Sequence, residues 1–357
     1  MAGHGMAGHG MTGHGMAAPI RVLVVDDSAT MRAMIRHSLR NDPQLLVVGE
    51  AADPLEARTA VKALNPDVIT LDIEMPGMDG LDFLEKVMRL RPMPVVMVSS
   101  LTSRGADASL RALELGAFEC VDKSSLQGPA LAATIRAAAG ARPRSPAAPR
   151  MLPRTELRGQ GRLVAIGAST GGVEALLAIV PHLPPNAPPV VITQHMPAAF
   201  TGSLARRLDR SGAARVAEAE DGVPLLPGHV YLAPGGAAHL TVSGGEGSGP
   251  WRCRLRAGEL VNGHRPAVDL LFASVAQAAG AYGVGVILTG MGRDGARGLL
   301  AMRQAGARTL GQDEASSVVY GMPRVAAELD AVERQISLDA MAGALLALCR
   351  ADERISA

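Results

Sequence analysis

Short apolar runs alternate along most of this chain with longer stretches in which apolar positions recur every three or four residues. Between residues 20 and 140 the runs fall at 21–25, 45–50, 67–71, 94–98 and 117–121. Each is mainly apolar on both alternating faces, as expected of a strand covered on both sides, and the stretches between them have helical spacing. Five such strands alternating with helices predict a doubly wound parallel sheet. The rhythm lapses in the Pro- and Arg-rich segment around 142–161, then resumes at Leu163 and runs to about Leu348. A Gly-rich excursion at 242–249 predicts the tip of a β-hairpin inside this second α/β unit. The expected organisation is a tail at 1–18, a first domain at 19–140, a linker at 141–160 and a second, mostly parallel α/β domain at 161–350.

Composition narrows the function classes. The tail repeats Met-Ala-Gly-His-Gly, too rich in glycine to pack, so it is read as flexible low-complexity sequence. Lys and Arg total 35 against 34 for Asp and Glu, and aromatic residues are 2%, which gives no electrostatic or stacking case for nucleic acid. Cys120, Cys253 and Cys349 are odd in number and widely spaced, which fits reduced thiols. No run reaches membrane-spanning length and no signal-peptide core is visible, so a cytoplasmic protein without membrane insertion is expected.

Chemistry gathers at the C-terminal ends of the runs, where parallel sheets place their sites. In the first domain Asp26 and Asp27 follow one run and Asp72 another. Three carboxylates in one pocket repel without a cation, and hard oxygen ligands open to water suit Mg²⁺. With Ser99 and Lys123 at two further strand ends, the set makes an acyl-phosphate site. In the second domain Ser169 lies in Gly167-Ala-Ser-Thr-Gly-Gly172 between a strand and a helix, His195 follows 190–194, and Asp294 follows 286–288. These three read as nucleophile, base and orienting acid, provided their strands lie side by side. Alone, Ser169 reads as a helix N-cap, and the loop has neither dinucleotide nor P-loop spacing. His264 competes for the role of base. No Cys/His cluster has zinc spacing.

The motifs carry two resemblances. Val25-Asp-Asp-Ser28, Leu71-Asp-Ile-Glu-Met-Pro-Gly-Met-Asp-Gly80, Val98-Ser-Ser100 and Asp122-Lys123 resemble the receiver domains of two-component response regulators, which have a flavodoxin-like five-stranded parallel sheet. The resemblance implies that Asp72 accepts phosphate from a histidine kinase. It also implies that Asp26, Asp27, Asp72 and the Glu74 carbonyl hold Mg²⁺, that Lys123 binds the phosphoryl group, and that Ser99 is the switch hydroxyl. Ser124 stands where that family usually has proline. From Leu163 onward, 167–172, 193–197, 290–296, 220–222, 226–229, 233–235 and 264–266 resemble the catalytic domain of the CheB family of chemotaxis protein-glutamate methylesterases. That resemblance implies a Ser169–His195–Asp294 mechanism, oxyanion donation from the backbone of Thr170 and Met291, and methyl-accepting chemoreceptors as substrates. It further implies deamidation of glutamines and phosphorylation by the chemotaxis kinase. His264 and Arg265 are expected to line the substrate cleft. The readings set against it are a receptor-docking module without catalysis and a receiver-linked transcription factor, although the second half lacks a basic recognition-helix module.

Overall fold

The computed structural model describes residues 18–75, 79–99, 103–123, 126, 130–141, 161–245 and 249–350. The linker from 142 onward, the tail up to residue 17, and Ser124 lie outside them. The first domain is a sheet of five parallel strands, β1 (Ile20–Val25), β2 (Leu45–Ala51), β3 (Val68–Asp72), β4 (Val95–Ser99) and β5 (Glu119–Asp122), in the order β2-β1-β3-β4-β5. Its helices are α1 (Ala29–Leu39), α2 (Pro54–Leu64), α3 (Gly80–Leu90), α4 (Ser103–Glu114) and α5 (Ala130–Ala139). Continuous apolar runs are explained by the two cores: Leu23 and Val25 of β1 enter one, Val22 and Val24 the other. Helix starts are fixed locally. Asp53 accepts from the N–H groups of Leu55 and Glu56 with Pro54 in the first turn, and Asp79 accepts from Leu81.

The second domain is built on seven parallel strands, β6 (Leu163–Ala168), β7 (Val190–Gln194), β8 (Arg215–Glu218), β9 (His229–Leu232), β12 (Gly283–Ile287), β13 (Arg308–Gln312) and β14 (Arg334–Ile336). Their order is β14-β13-β12-β6-β7-β9-β8. The expected hairpin is present as antiparallel β10 (Ala238–Ser243) and β11 (Arg252–Ala257). Helices α6 (Gly172–Ile179), α7 (Ala198–Ser211), α8 (Val268–Ala279), α9 (Ala296–Gln304), α10 (Met322–Glu328) and α11 (Leu338–Leu348) cover the sheet and enclose a core on either face. The chain leaves β6 toward β7 on one side and returns as β12 on the other. That reversal opens a crevice at the carboxyl ends of these three strands.

The two domains are in contact. Helix α4 packs against α6 and α7, Leu110 of α4 belongs to the core of the second domain, and Glu114 pairs with Arg207 of α7. Among the described residues no helix is long and apolar enough to cross a membrane.

Candidate active site and phosphorylation site

Strand adjacency brings the predicted residues together. Ala168 is in register with Gln194, so Ser169 and His195 emerge side by side one residue later. Gln194 ties the two turns, its Nε2 donating to the carbonyls of Ser169 at 2.9 Å and His195 at 3.1 Å. On the other flank the Ser169 N–H donates to the Thr289 carbonyl at 3.0 Å. Backbone there comes so close that a Cβ on Gly290 would stand 2.7 Å from the Cβ of Ser169. Glycine at 290 is what lets the loop after β12 close on the serine.

His195 Nε2 lies 2.8 Å from Oδ2 of Asp294, while its Nδ1 is buried with no hydrogen-bond partner among the described residues. The same carboxylate accepts from Val268 N at 2.7 Å, Asp269 N at 3.1 Å and Asn262 Nδ2 at 2.9 Å. Asp294 therefore receives the free N–H groups at the start of α8, a helix with no side-chain cap of its own. Burial pushes its carboxyl pKa up, but the hydrogen bonds from His195, Asn262 and Val268 prevail and hold it below the ordinary value. The carboxylate is ionised and oriented, as required of a group that fixes an imidazole tautomer. The N–H groups of Thr170 and Met291 have no backbone acceptor among the described residues.

His264 lies in a tight turn before α8 and not in the helix itself, its ring parallel to that of His195 at 3.7 Å. Burial, then the neighbouring His195, lowers its pKa to about 4 against the pull of Asp294. Arg265 is tied to the carbonyls of Gly236 and Gly258. Neither lines the cavity at Ser169.

That cavity, about 70 Å³, is bounded by Ser169, Gln194 and His195 on one side and by Pro94, Phe118, Glu119 and Cys120 of the first domain on the other. Glu119 hydrogen-bonds the side chain of Thr170, next to the serine. The space holds a few waters and excludes a polypeptide.

In the first domain Asp26, Asp27 and Asp72 offer carboxylate oxygens within 4.8 Å of one another. Lys123 Nζ donates to Asp72 Oδ2 at 2.8 Å and lies 3.6 Å from Asp26. Burial, and for Asp26 the charge of Asp72, raises both carboxyl pKa values; Lys123 is raised as well, since its two carboxylate partners outweigh its burial. Ser99 ends β4 beside β3, buried, and Glu74 donates its N–H to Asp72 Oδ1 at 3.2 Å. Sequence reasoning missed Asn262, Gln194 and Glu119. Only Asn262 carried a signal, the Asn-Gly pair of a two-residue turn.

A parallel sheet with a carboxylate–lysine pocket, joined to a second sheet with serine, histidine and aspartate at its switch point, defines a receiver-coupled α/β hydrolase. The CheB methylesterase model matches residues 164–345 and the response regulator receiver domain model residues 22–136. The protein-glutamate methylesterase/protein-glutamine glutaminase 1 of Caulobacter vibrioides is 61% identical over 344 residues, 94% of this chain and 99% of that protein. That of Agrobacterium fabrum is 58% identical over 348 residues, covering 94% of this chain and 98% of the relative. The crystal structure of the Thermotoga maritima CheB methylesterase catalytic domain superposes with a TM-score of 0.51 at 38% identity, covering 53% of this chain and 99% of that one. The chain belongs to the CheB methylesterase family and carries that family's receiver domain.

Proposed function

We propose that this chain is a phosphorylation-activated protein-glutamate methylesterase that demethylates chemoreceptors in the cytoplasm and also deamidates specific glutamines. The observation that carries the hydrolytic reading is the ionised Asp294 bound to a histidine whose other nitrogen has no partner among the described residues, beside a serine at the start of a helix. In this reading Ser169 Oγ attacks the ester carbonyl as its proton passes to His195 Nδ1, and Asp294 stabilises the imidazolium through Nε2. The oxyanion is received by the N–H groups of Thr170 and Met291. Collapse of the tetrahedral species expels methanol, protonated by His195, and leaves an acyl-serine. Water, deprotonated by the same nitrogen, then releases glutamate. A glutamine substrate differs only in expelling ammonia.

Control rests on the first domain. The Oδ2 of Asp26 is buried without a hydrogen bond among the described residues, within reach of two further carboxylates, an arrangement that fits a hard divalent cation. Asp26, Asp27, Asp72 and the Glu74 carbonyl would hold Mg²⁺, which when bound neutralises phosphoryl oxygens. Asp72 then accepts phosphate from a histidine kinase, Lys123 pairs with it, and Ser99 reports it to α4. The dephosphorylated receiver covers the cleft and phosphorylation shifts the population away from that arrangement. Methanol release from methylated receptors, with and without a small phosphodonor, tests both halves. Activity should rise with the donor, and Ser169→Ala should abolish it; a Ser169→Ala protein that still releases methanol at the parent rate would overturn the reading.

A further inference from the structure

Resting on that reading of Ser169, His195 and Asp294, we propose that the turn 261–264 is a clamp on the catalytic pair: Asn262 fixes the carboxylate of Asp294, and His264 fixes the plane of the His195 ring. Val261 and His264 exchange both backbone hydrogen bonds, at 3.0 and 2.9 Å, across Asn262 and Gly263, whose φ values are 52° and 84°. Two successive left-handed residues make the tight hairpin turn that Asn-Gly favours. One such turn therefore presents two side chains to two partners in a fixed relation.

The Asn262 amide is not spent on its own turn. Although the residue is exposed, its Nδ2 reaches the buried Asp294 Oδ1 at 2.9 Å and Asp269 Oδ2 at 2.8 Å. A carboxylate has about four acceptor sites. Those of Asp294 are taken by His195 and Val268 at Oδ2 and by Asn262 and Asp269 at Oδ1. With all four met the group has no rotational freedom. Among the described residues Asn262 is the one side chain besides His195 that holds it, and as an uncharged donor between two carboxylates it adds no competing charge. His264 acts on the other partner. Its ring lies 3.7 Å from that of His195 with 8° between planes, at van der Waals contact, so a swing of His195 about χ2 drives its atoms into the facing ring. That stop keeps Nε2 on Asp294 and leaves Nδ1, which has no partner among the described residues, available to the serine.

Both residues are positioning residues, and the test is chosen so that a merely structural turn gives a different answer. Asn262→Gly removes the amide while keeping the left-handed backbone unstrained. In the full-length, phosphodonor-treated protein, kcat for methanol release should fall about 10²-fold with KM unchanged, the scale of a misaligned catalytic group. The low-field proton NMR resonance of the His195–Asp294 hydrogen bond should weaken or vanish. Asn262→Asp, which tolerates the same backbone but adds a third carboxylate, should lose at least as much. For the second half, His264→Phe should keep most of the activity because it retains a ring to stack on, whereas His264→Ala should lose it. Unchanged kcat and NMR signal in Asn262→Gly overturn the role of Asn262; equal loss in His264→Phe and His264→Ala overturns that of His264. Ser169→Ala, run in parallel, separates these failures from that of the hydrolytic reading, since only the latter predicts that this variant is dead.

Discussion

His264 has a consequence for stability that can be read without any substrate. Its pKa in the folded protein is about 4, lowered by burial and by His195, while an unfolded chain protonates near the ordinary histidine value of 6.5. Between those values the unfolded state binds a proton that the folded state refuses, so stability falls as the pH is lowered through that window. Urea midpoints measured from pH 7.5 down to 4.5 should drop more steeply in the parent than in His264→Phe, which has nothing to protonate there. Parallel curves would mean that His264 is not held neutral. The same residue marks a limit of the sequence. Ser169, His195, Asp72 and Lys123 were legible as candidates because each ends or closely follows an apolar run, and Asp294 because it lies in the turn after one, a signal carried within a few neighbouring positions. The stack of His264 on His195 joins positions far apart in the chain, and nothing local to either announces it. Glu119 is a plainer case still: a glutamate within a β-strand has no reason to be singled out until a second domain faces it.

At the scale of elements, the site depends on one helix junction. Asp294 caps the start of α8 from the loop that leads into α9, and α9 lies against α8 with no side chain between them at Gly298. A Cβ there would stand 2.6 Å from the Asp269 carbonyl and 2.7 Å from the Cβ of Phe272. Gly298→Ala must push the helices apart, costing about 1–3 kcal/mol by overpacking. Because the displaced end of α8 holds Asp294, kcat should fall too. Gly343 of α11 has open space around it, so Gly343→Ala should stabilise by about 0.5–1 kcal/mol and leave activity alone. Chemical denaturation and methanol release on both variants check the contrast; equal effects would refute the junction. The elements themselves were legible because strands buried on both faces are written as continuous apolar runs, as in β1, β3, β4, β6 and β7. Their order was not. That β12 lies beside β6 while β9 lies beside β7 is decided by how whole faces pack, and short edge strands such as β14 leave almost no pattern.

Across the whole molecule, the two domains meet, among the described residues, over an apolar seam with polar contacts set into it, an arrangement that suits a switch. Leu110 and Leu113 of α4 pack on the second domain's core, Glu114 pairs with Arg207, and Glu119 reaches Thr170 at the mouth of the site. Of these, Glu119 is placed to matter most for access, because its partner Thr170 adjoins Ser169, the proposed nucleophile. A carboxyl group is also what the proposed reaction produces, so the receiver covers the site with a side chain of the product's chemistry. Burial raises the Glu119 pKa, and the hydrogen bonds from Thr170 and the Cys120 N–H oppose that rise. A hydrogen bond contributes about 0.5–1.5 kcal/mol net, and about 1.4 kcal/mol is a tenfold change in an equilibrium. Glu119→Ala should therefore shift the unphosphorylated protein toward the open form by up to about tenfold and raise its basal methanol release accordingly. The fully phosphorylated rate should be unchanged, because the proposed opening takes the receiver, and Glu119 with it, off the cleft. A variant whose basal rate equals the parent's would show that the apolar seam alone keeps the cleft closed. Loss of the phosphorylated rate would instead place Glu119 in the chemistry, contrary to its position on the receiver.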